Sequence, residues 1–121
     1  MLDHIIITVS DYEASKQFYL GALQPLGYAI VMEFGRAGGF GVAGKPDFWI
    51  KEAEAVKPAI HIAFGTTDRP TVDKFYDAAM SAGGRDNGPP GLRPDYHPNY
   101  YGAFVFDPDG NNIEAVCHKE P

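Results

Sequence analysis

The stretch Asp107-Pro108-Asp109-Gly110-Asn111-Asn112-Ile113-Glu114-Ala115-Val116 decides the fold. Its first four residues are a strong β-turn signal, because proline fixes one backbone dihedral angle and glycine accepts a positive φ. The run that follows is short, apolar and alternating, which predicts a strand. Glu114 lies in the middle of that strand, where a carboxylate is costly to bury unless a cationic group meets it. A partner for Glu114 is therefore expected elsewhere in the chain.

The composition indicates one domain over residues 1–121, since the chain has 121 residues and is 45% hydrophobic. A net charge of −6 argues against nucleic acid and anionic membranes as partners. The single cysteine, Cys117, fits a reducing compartment. The first residues lack a signal-peptide pattern, and no apolar run approaches the roughly 20 residues that span a bilayer. We therefore expect a cytoplasmic protein.

The first half of the chain predicts a strand, a helix and three further strands. Residues 2–9 alternate, so that His4, Ile6 and Thr8 share one face of a strand. Ser10-Asp11-Tyr12-Glu13 has the spacing of a capping box, which predicts a helix start. An apolar stripe at helical spacing follows and ends at Gly27. Glycine-rich breaks then separate three short strands near 28–34, 38–43 and 47–51.

The second half repeats this order. Residues 59–65 predict a strand with His61 opposite its large aliphatic residues, and Thr67-Asp68-Arg69-Pro70 predicts a helix start. The glycine- and proline-rich segment 87–99 predicts a loop or an irregular edge strand. Strands are expected over 101–106 and 111–118, joined by the turn that precedes Glu114.

The two halves are copies of each other at an offset of 57 residues. The matching pairs are His4 and His61, Asp11 and Asp68, Phe18-Tyr19 and Phe75-Tyr76, Ala22 and Ala79, and Gly27 and Gly84. A fixed offset across a strand and a helix indicates an internal repeat rather than chance. The sequence therefore predicts two modules, approximately 1–57 and 58–121, each with the element order βαβββ.

The repeat places His4 and His61 at equivalent points, both on the face opposite the aliphatic residues. Glu114 also lies opposite its aliphatic neighbours. If these faces share one concavity, the three side chains form a 2-His-1-carboxylate site for a divalent ion such as Fe, Mn, Zn, Ni or Co. The alternative is a closed cup in which Glu114 pairs with a protonated histidine.

The motifs Leu2-Asp3-His4, Phe18-Tyr19, His61-Ile62-Ala63 and the turn leading to Ile113-Glu114 resemble the vicinal oxygen chelate superfamily. That group includes glyoxalase I, fosfomycin-resistance proteins, bleomycin-resistance proteins and extradiol dioxygenases. The resemblance implies an α+β fold in which two βαβββ modules form a cup-shaped mixed sheet with the helices outside. It also implies metal ligands at His4, His61 and Glu114, and a homodimer.

Two departures from the resemblance bear on the chemistry. Trp49 stands where glyoxalase I has a fourth ligand, a glutamate. Phe104 stands where extradiol dioxygenases have a tyrosine. A lyase or isomerase is therefore favoured over a dioxygenase, and members that bind bleomycin without a metal keep a non-catalytic binder open as the alternative.

Further candidates come from the segment 93–101, which prolines stiffen and which carries one histidine and three tyrosines. It could supply an acid–base group, His97 or Tyr101, or simply cover the sheet edge. We expect substrate contacts from Trp49, Arg93, Tyr96 and Tyr100. The sequence thus predicts a glyoxalase-like, metal-dependent enzyme for a small oxygen-rich substrate.

Overall fold

The computed structural model describes residues 2–54 and 58–121, which form two modules with the same order of elements. The first contains β1 (Ile5–Val9), α1 (Tyr12–Ala22), a 3-10 turn (Gln24–Leu26), β2 (Ala29–Phe34), β3 (Ala37–Val42) and β4 (Lys45–Glu52). The second contains β5 (His61–Thr66), α2 (Arg69–Ser81), β6 (Arg85–Leu92), β7 (Tyr101–Phe106) and β8 (Asn112–Cys117). The predicted pair of βαβββ modules is confirmed.

Each module builds its own four-stranded mixed sheet. The strand orders are β1-β4-β3-β2 and β5-β8-β7-β6, and in each sheet the first strand runs parallel to the last. Ile6 pairs with Trp49 in the first sheet, and Ala63, 57 residues after Ile6, pairs with Glu114 in the second. The register thus places Trp49 at the position equivalent to Glu114.

Two predicted boundaries near the start of the chain shift in the structure. β1 begins at Ile5 rather than at residue 2, so His4 precedes the strand. The N-cap of α1 is Asp11, which accepts a hydrogen bond from the Ala14 backbone N–H at 3.1 Å. Ser10 was the predicted capping residue, but its own N–H is bound by the carboxylate of Asp109. The predicted module boundary lies partly outside the described residues.

The segment 87–99, predicted as a loop or an irregular edge strand, forms an edge strand in its first part and turns in its second part. Residues 85–92 form β6 at the edge of the second sheet, with register shifts between Asp86 and Gly91. The outer side of an edge strand needs no N–H donor, which accommodates one of the adjacent prolines Pro89 and Pro90. The register shift between Gly88 and Gly91 leaves both without a ladder partner on β7, which accommodates the other. Residues 93–100 are turns, closed by the Arg93 N–H donating to the Tyr100 carbonyl.

The two helices and the inner faces of both sheets share one hydrophobic core. The helices approach closely where a Cβ on Gly21 would lie 2.8 Å from that of Ala82. Phe48 of the first module meets Phe64 of the second edge to face, with ring centroids 5.5 Å apart. The opposite face of each sheet is open, and on the first it exposes Ile6 and Phe34 by 60% and 63%.

In the part of the chain that the structure describes, none of the helices combines the length and apolarity that a bilayer crossing requires.

A buried polar contact joins the modules at the turn before β8. Asp107 is 1% exposed and accepts hydrogen bonds from the Tyr19 hydroxyl and from the backbone and side chain of Asn111. Burial, followed by the nearby charge of Asp107, raises the pKa of Tyr19 well above its ordinary value. Tyr19 is therefore a fixed donor that helps satisfy a carboxylate in the core.

Replacing Tyr19 by phenylalanine is expected to lower the free energy of unfolding by about 1–3 kcal/mol, because a buried charged acceptor loses one donor. Urea unfolding followed by circular dichroism measures the loss. The repeat provides a matched control in Tyr76→Phe, which removes an exposed hydrogen bond to Asp86 and should cost about 0.5 kcal/mol or less. Equal losses in the two variants would contradict a special role for the buried contact.

Candidate functional site

Glu114 forms the floor of the candidate site on the open face of the second sheet. Glu114 is 1% exposed and pairs in register with Ala63 on β5 and Phe104 on β7. One carboxylate oxygen, Oε1, lies 2.7 Å from His61 Nε2, and the other accepts a hydrogen bond from the Tyr100 hydroxyl. The expected partner of Glu114 is therefore His61, together with a tyrosine.

The local sequence explains how Tyr100 reaches this carboxylate. Tyr100 immediately precedes β7 and folds back over Gly102, where an added Cβ would lie 3.2 Å from the tyrosine ring and 3.4 Å from Glu114 Oε2. A larger residue at position 102 would crowd both groups. Sequence reasoning named Tyr100 only as a substrate contact and did not predict its bond to Glu114. Gly102, two residues after Tyr100, is the sequence signal that could have indicated this hydrogen bond.

The protonation states follow from these contacts. Burial first, and then the hydrogen bond to Glu114, raises the pKa of Tyr100 above its ordinary value of 10.0. Tyr100 therefore stays protonated at neutral pH and donates to the carboxylate. In the tautomer with its proton on Nε2, His61 donates to the other carboxylate oxygen.

The floor opens into a pocket of about 510 Å³, called the site pocket below. Its lining is aromatic and acidic and consists of His61, Tyr96, His97, Tyr100, Phe104 and Glu114. Tyr96 and Tyr100 meet edge to face, with ring centroids 4.8 Å apart. The pocket thus brings together five of the site residues that the sequence predicts: His61, Tyr96, His97, Tyr100 and Glu114.

His97 is held on both ring nitrogens. Its Nδ1 accepts the Asn99 backbone N–H at 3.1 Å, and its Nε2 lies 2.6 Å from Nδ1 of His118. Since Nδ1 of His97 accepts, its Nε2 carries the proton and donates a hydrogen bond to Nδ1 of His118, and no hydrogen bond from a described residue engages Nε2 of His118. His118 is not among the predicted site residues, although it lies four residues after Glu114 and therefore on the same side of the chain by strand alternation.

Three other candidates lie away from the site pocket. Tyr101 points to the helix side, where its hydroxyl donates to Asp73 at 2.6 Å. Trp49 lies on the open face of the first sheet and stacks on Phe34, with centroids 6.4 Å apart. Arg93 lines a second pocket that borders the site pocket.

His4 lies near Trp49 rather than near Glu114. Its Nδ1 is 2.8 Å from the Asp3 carboxylate, and it lines an open pocket of about 520 Å³ with Ile6, Phe34 and Trp49. The His4 contact, followed by a contact from Lys45, lowers the pKa of Asp3. Over residues 2–54 and 58–121 no group of three or more His, Cys, Asp or Glu side chains is arranged to hold a metal. A single chain therefore does not bring His4 to His61 and Glu114.

The raised pKa of Tyr100 makes a spectroscopic prediction. Its pKa in the folded state lies above the unfolded value of 10.0, so its contribution to stability is present below pH 10 and is lost as the pH rises further. The absorbance at about 295 nm of wild type minus Tyr100→Phe should show no phenolate from Tyr100 in the folded protein at pH 10. In urea, the same subtraction should show about half a phenolate at that pH, as expected for an ordinary tyrosine. A similar signal in the folded protein would contradict the assignment.

Comparisons with known proteins agree with this architecture. Residues 1–115 match the model of the Glyoxalase/Bleomycin resistance protein/Dioxygenase superfamily. The uncharacterized protein YqjT of Bacillus subtilis is 28% identical over 134 residues, covering 96% of this chain and 98% of that protein. A glyoxalase/bleomycin resistance protein from Albidiferax ferrireducens T118 is 28% identical, with a TM-score of 0.82 and coverage of 98% of this chain and 99% of that one.

A more distant likeness concerns the fold alone. The fosfomycin resistance protein FosX from Mesorhizobium loti has a TM-score of 0.72 at 19% identity, covering 98% of this chain and 92% of that one. Since the family model spans all but the last residues, the predicted resemblance is confirmed, and the chain belongs to the glyoxalase/bleomycin resistance protein/dioxygenase superfamily.

Proposed function

We propose that this protein is a metal-dependent enzyme of the lyase or isomerase type, acting on a small oxygen-rich substrate in the site pocket. The observation that carries the proposal is the buried carboxylate of Glu114, 1% exposed, with His61 on one oxygen and Tyr100 on the other. Buried carboxylates paired with imidazole at the floor of an open pocket are typical of functional sites rather than of structural cores.

The donor set fits a divalent ion. His61 Nε2 and Glu114 Oε1 are 2.7 Å apart. An imidazole nitrogen and a carboxylate oxygen are both ordinary ligands of divalent ions, and their closeness would let one ion contact both. His61 and Glu114 would hold the ion with His4 as the third ligand, and Fe, Mn, Zn, Ni and Co all suit this ligand set. When bound, such an ion supplies a Lewis acid that stabilises an enolate or oxyanion of the substrate.

The third ligand would come from a second copy of the chain. His4 lies on the open face of the first sheet, which also carries the exposed apolar residues Ile6 and Phe34. His61 and Glu114 lie on the open face of the second sheet. A homodimer in which these two faces meet would cover the apolar residues and bring His4 to the site.

Two groups of the chain would serve the reaction besides the ligands. Tyr100 keeps its proton and fixes the orientation of the Glu114 carboxylate. His97, which lines the site pocket, and His118, which contacts His97, would exchange protons with the substrate, since imidazoles are the side chains that do so near neutral pH. Among the described residues, no hydrogen bond engages Nε2 of His118, the ring nitrogen of this pair that would meet the substrate.

A second candidate function is non-catalytic binding of a planar ligand. The aromatic lining of the site pocket, with Tyr96, Tyr100 and Phe104, favours it. So does the engagement of both His97 ring nitrogens within the protein, because a general base needs a free one. The two functions differ in whether a metal is required.

A metal-binding measurement distinguishes the metal-dependent enzyme from the non-catalytic binder. Wild-type protein incubated with Mn(II), Zn(II), Ni(II), Co(II) or, without oxygen, Fe(II) should retain about one ion per chain by plasma mass spectrometry. His4→Ala, His61→Ala and Glu114→Gln should each bind at least about 100-fold more weakly, because each removes a direct ligand. His97→Ala and the exposed-carboxylate control Glu13→Gln should retain the ion.

The same metal-uptake measurement can contradict the proposed function. A wild type that takes up none of these ions, or a Glu114→Gln variant that binds them as tightly as wild type, would overturn the metal-dependent enzyme. A protein without metal that still binds planar ligands in the site pocket would support the non-catalytic binder.

A further inference from the structure

A second pocket borders the site pocket on the open face of the second sheet. It has a volume of about 280 Å³ and is called the side pocket below. Its lining consists of Asn87, Gly88, Arg93, Tyr96, Phe104 and Asn112. Tyr96 and Phe104 line both pockets, so one ligand can extend from the side pocket to Glu114.

Arg93 is held in place at this side pocket. Its Nη2 donates to the Pro89 carbonyl at 2.7 Å, and its guanidinium carbon lies 5.3 Å from the centre of the Phe104 ring. A Cβ on Gly88 or Gly91 would lie only 3.2 or 3.1 Å from its guanidinium nitrogens. The two glycines and the aromatic face thus give the guanidinium a fixed position along β6.

The charge of Arg93 is not neutralised within the described ranges. There no carboxylate lies within 4.0 Å of the Arg93 guanidinium, unlike Lys16, Arg36 and Lys45. Other cations there, such as Arg85, are unpaired too, but Arg93 is the one that lines the side pocket. Its side-chain hydrogen bonds go to two backbone carbonyls, Pro89 and Leu92. A guanidinium has five N–H donors, so several remain for an anion. In a chain of net charge −6, a positioned and unpaired cation at a pocket is a marker of anion binding.

The side chain of Asn112 indicates that the ligand carries a hydrogen-bond donor. Its Oδ1 is buried and has no hydrogen-bond partner among the described residues, although Asn112 lines the side pocket. A buried acceptor without a donor is costly, and rotation of the Asn112 amide toward the side pocket would let a hydroxyl group of a ligand satisfy it.

The spacing across the sheet sets the size of such a ligand. Gly88, Phe104 and Glu114 occupy adjacent register positions on β6, β7 and β8. Neighbouring strands lie about 4.8 Å apart, so the two ends of this row are separated by roughly 10 Å. A molecule of a few carbon atoms would span the gap over the Phe104 ring.

We propose that the side pocket binds the anionic end of the substrate, a small hydroxylated organic oxyanion that is either a carboxylate or a phosphonate. Arg93 binds the anionic oxygens, Asn112 accepts the ligand hydroxyl, and the remainder extends over Phe104 toward Glu114. This assignment rests on the proposed function for the site pocket and names its substrate class. Binding at Arg93 itself does not require the metal.

Calorimetric titration tests the proposal with two probes, 3-hydroxypropionate and hydroxymethylphosphonate, on metal-free and Mn(II)-treated protein. Comparing them shows which oxyanion is preferred. Both probes, or the preferred one alone, should bind metal-free wild type. Arg93→Gln should weaken this binding about tenfold or more, because it removes a charge-assisted contact. The uncharged 3-hydroxypropionamide should bind at least about tenfold more weakly, and propionate, which lacks the hydroxyl, more weakly than 3-hydroxypropionate.

Arg85→Gln is a matched control. Arg85 begins β6, whereas Arg93 directly follows its end. Like Arg93, Arg85 stacks on an aromatic residue of β7, with its guanidinium carbon 5.2 Å from the centre of the Phe106 ring, but it lines neither pocket. Probe binding should be unchanged in this variant. If Arg93→Gln does not fold by circular dichroism, Arg93→Lys and Asn112→Asp replace it. Both should weaken binding, the first by losing the guanidinium geometry and the second by adding a like charge.

The assignment is overturned if neither probe binds wild type, if the amide binds as well as the acid, or if the Arg93 variants bind like wild type. These outcomes are separate from the test of the metal site, because Arg93→Gln should still retain Mn(II). Probe binding that depends on Arg93 in a protein unable to bind metal would support the side pocket while removing the metal-dependent enzyme.

Discussion

The burial of one carboxylate constrains the second half of this molecule. Glu114 lies at 1% exposure in the middle of β8, where an unpaired charge would be strongly destabilising. His61, from β5, and Tyr100, from the turn before β7, each satisfy one oxygen. These two hydrogen bonds join two strands and a turn and shape the floor of the site pocket. Stability and the proposed chemistry thus depend on one set of hydrogen bonds, and a bound ion would take the place of the proton that His61 donates to Glu114.

The two modules share a topology but present different open faces. At the equivalent register position, the first sheet has Trp49, which lies against Phe34, and the second has Glu114. The first face is apolar with His4 at its edge, and the second is polar with a buried acid. Neither face alone contains the three predicted ligands. This complementarity is the physical basis for expecting two copies of the chain to form each site, with the side pocket and Arg93 on the face that carries the acid.

The internal repeat and the period of the strands were sufficient to predict the fold. They also placed His61 and Glu114 on one face, because alternation fixes the side of a strand on which a residue lies. Alternation could not predict that His4 stays on the other sheet, since the sequence does not state which two faces meet. Nor could it separate Tyr100 from Tyr101. The first belongs to a turn whose path depends on tertiary contacts, and the second lies on the helix side of β7, bound to Asp73.

The most direct test of a site shared between two copies is to mix two variants that each lack one of the proposed metal ligands. His4→Ala and Glu114→Gln chains are unfolded together, refolded and treated with Mn(II), and the bound metal is measured. If His4 of one copy completes the site of the other, random pairing makes half of the dimers mixed, each with one intact site, so about a quarter of the wild-type metal content should return. A mixture that binds no more metal than either variant alone would contradict the shared site.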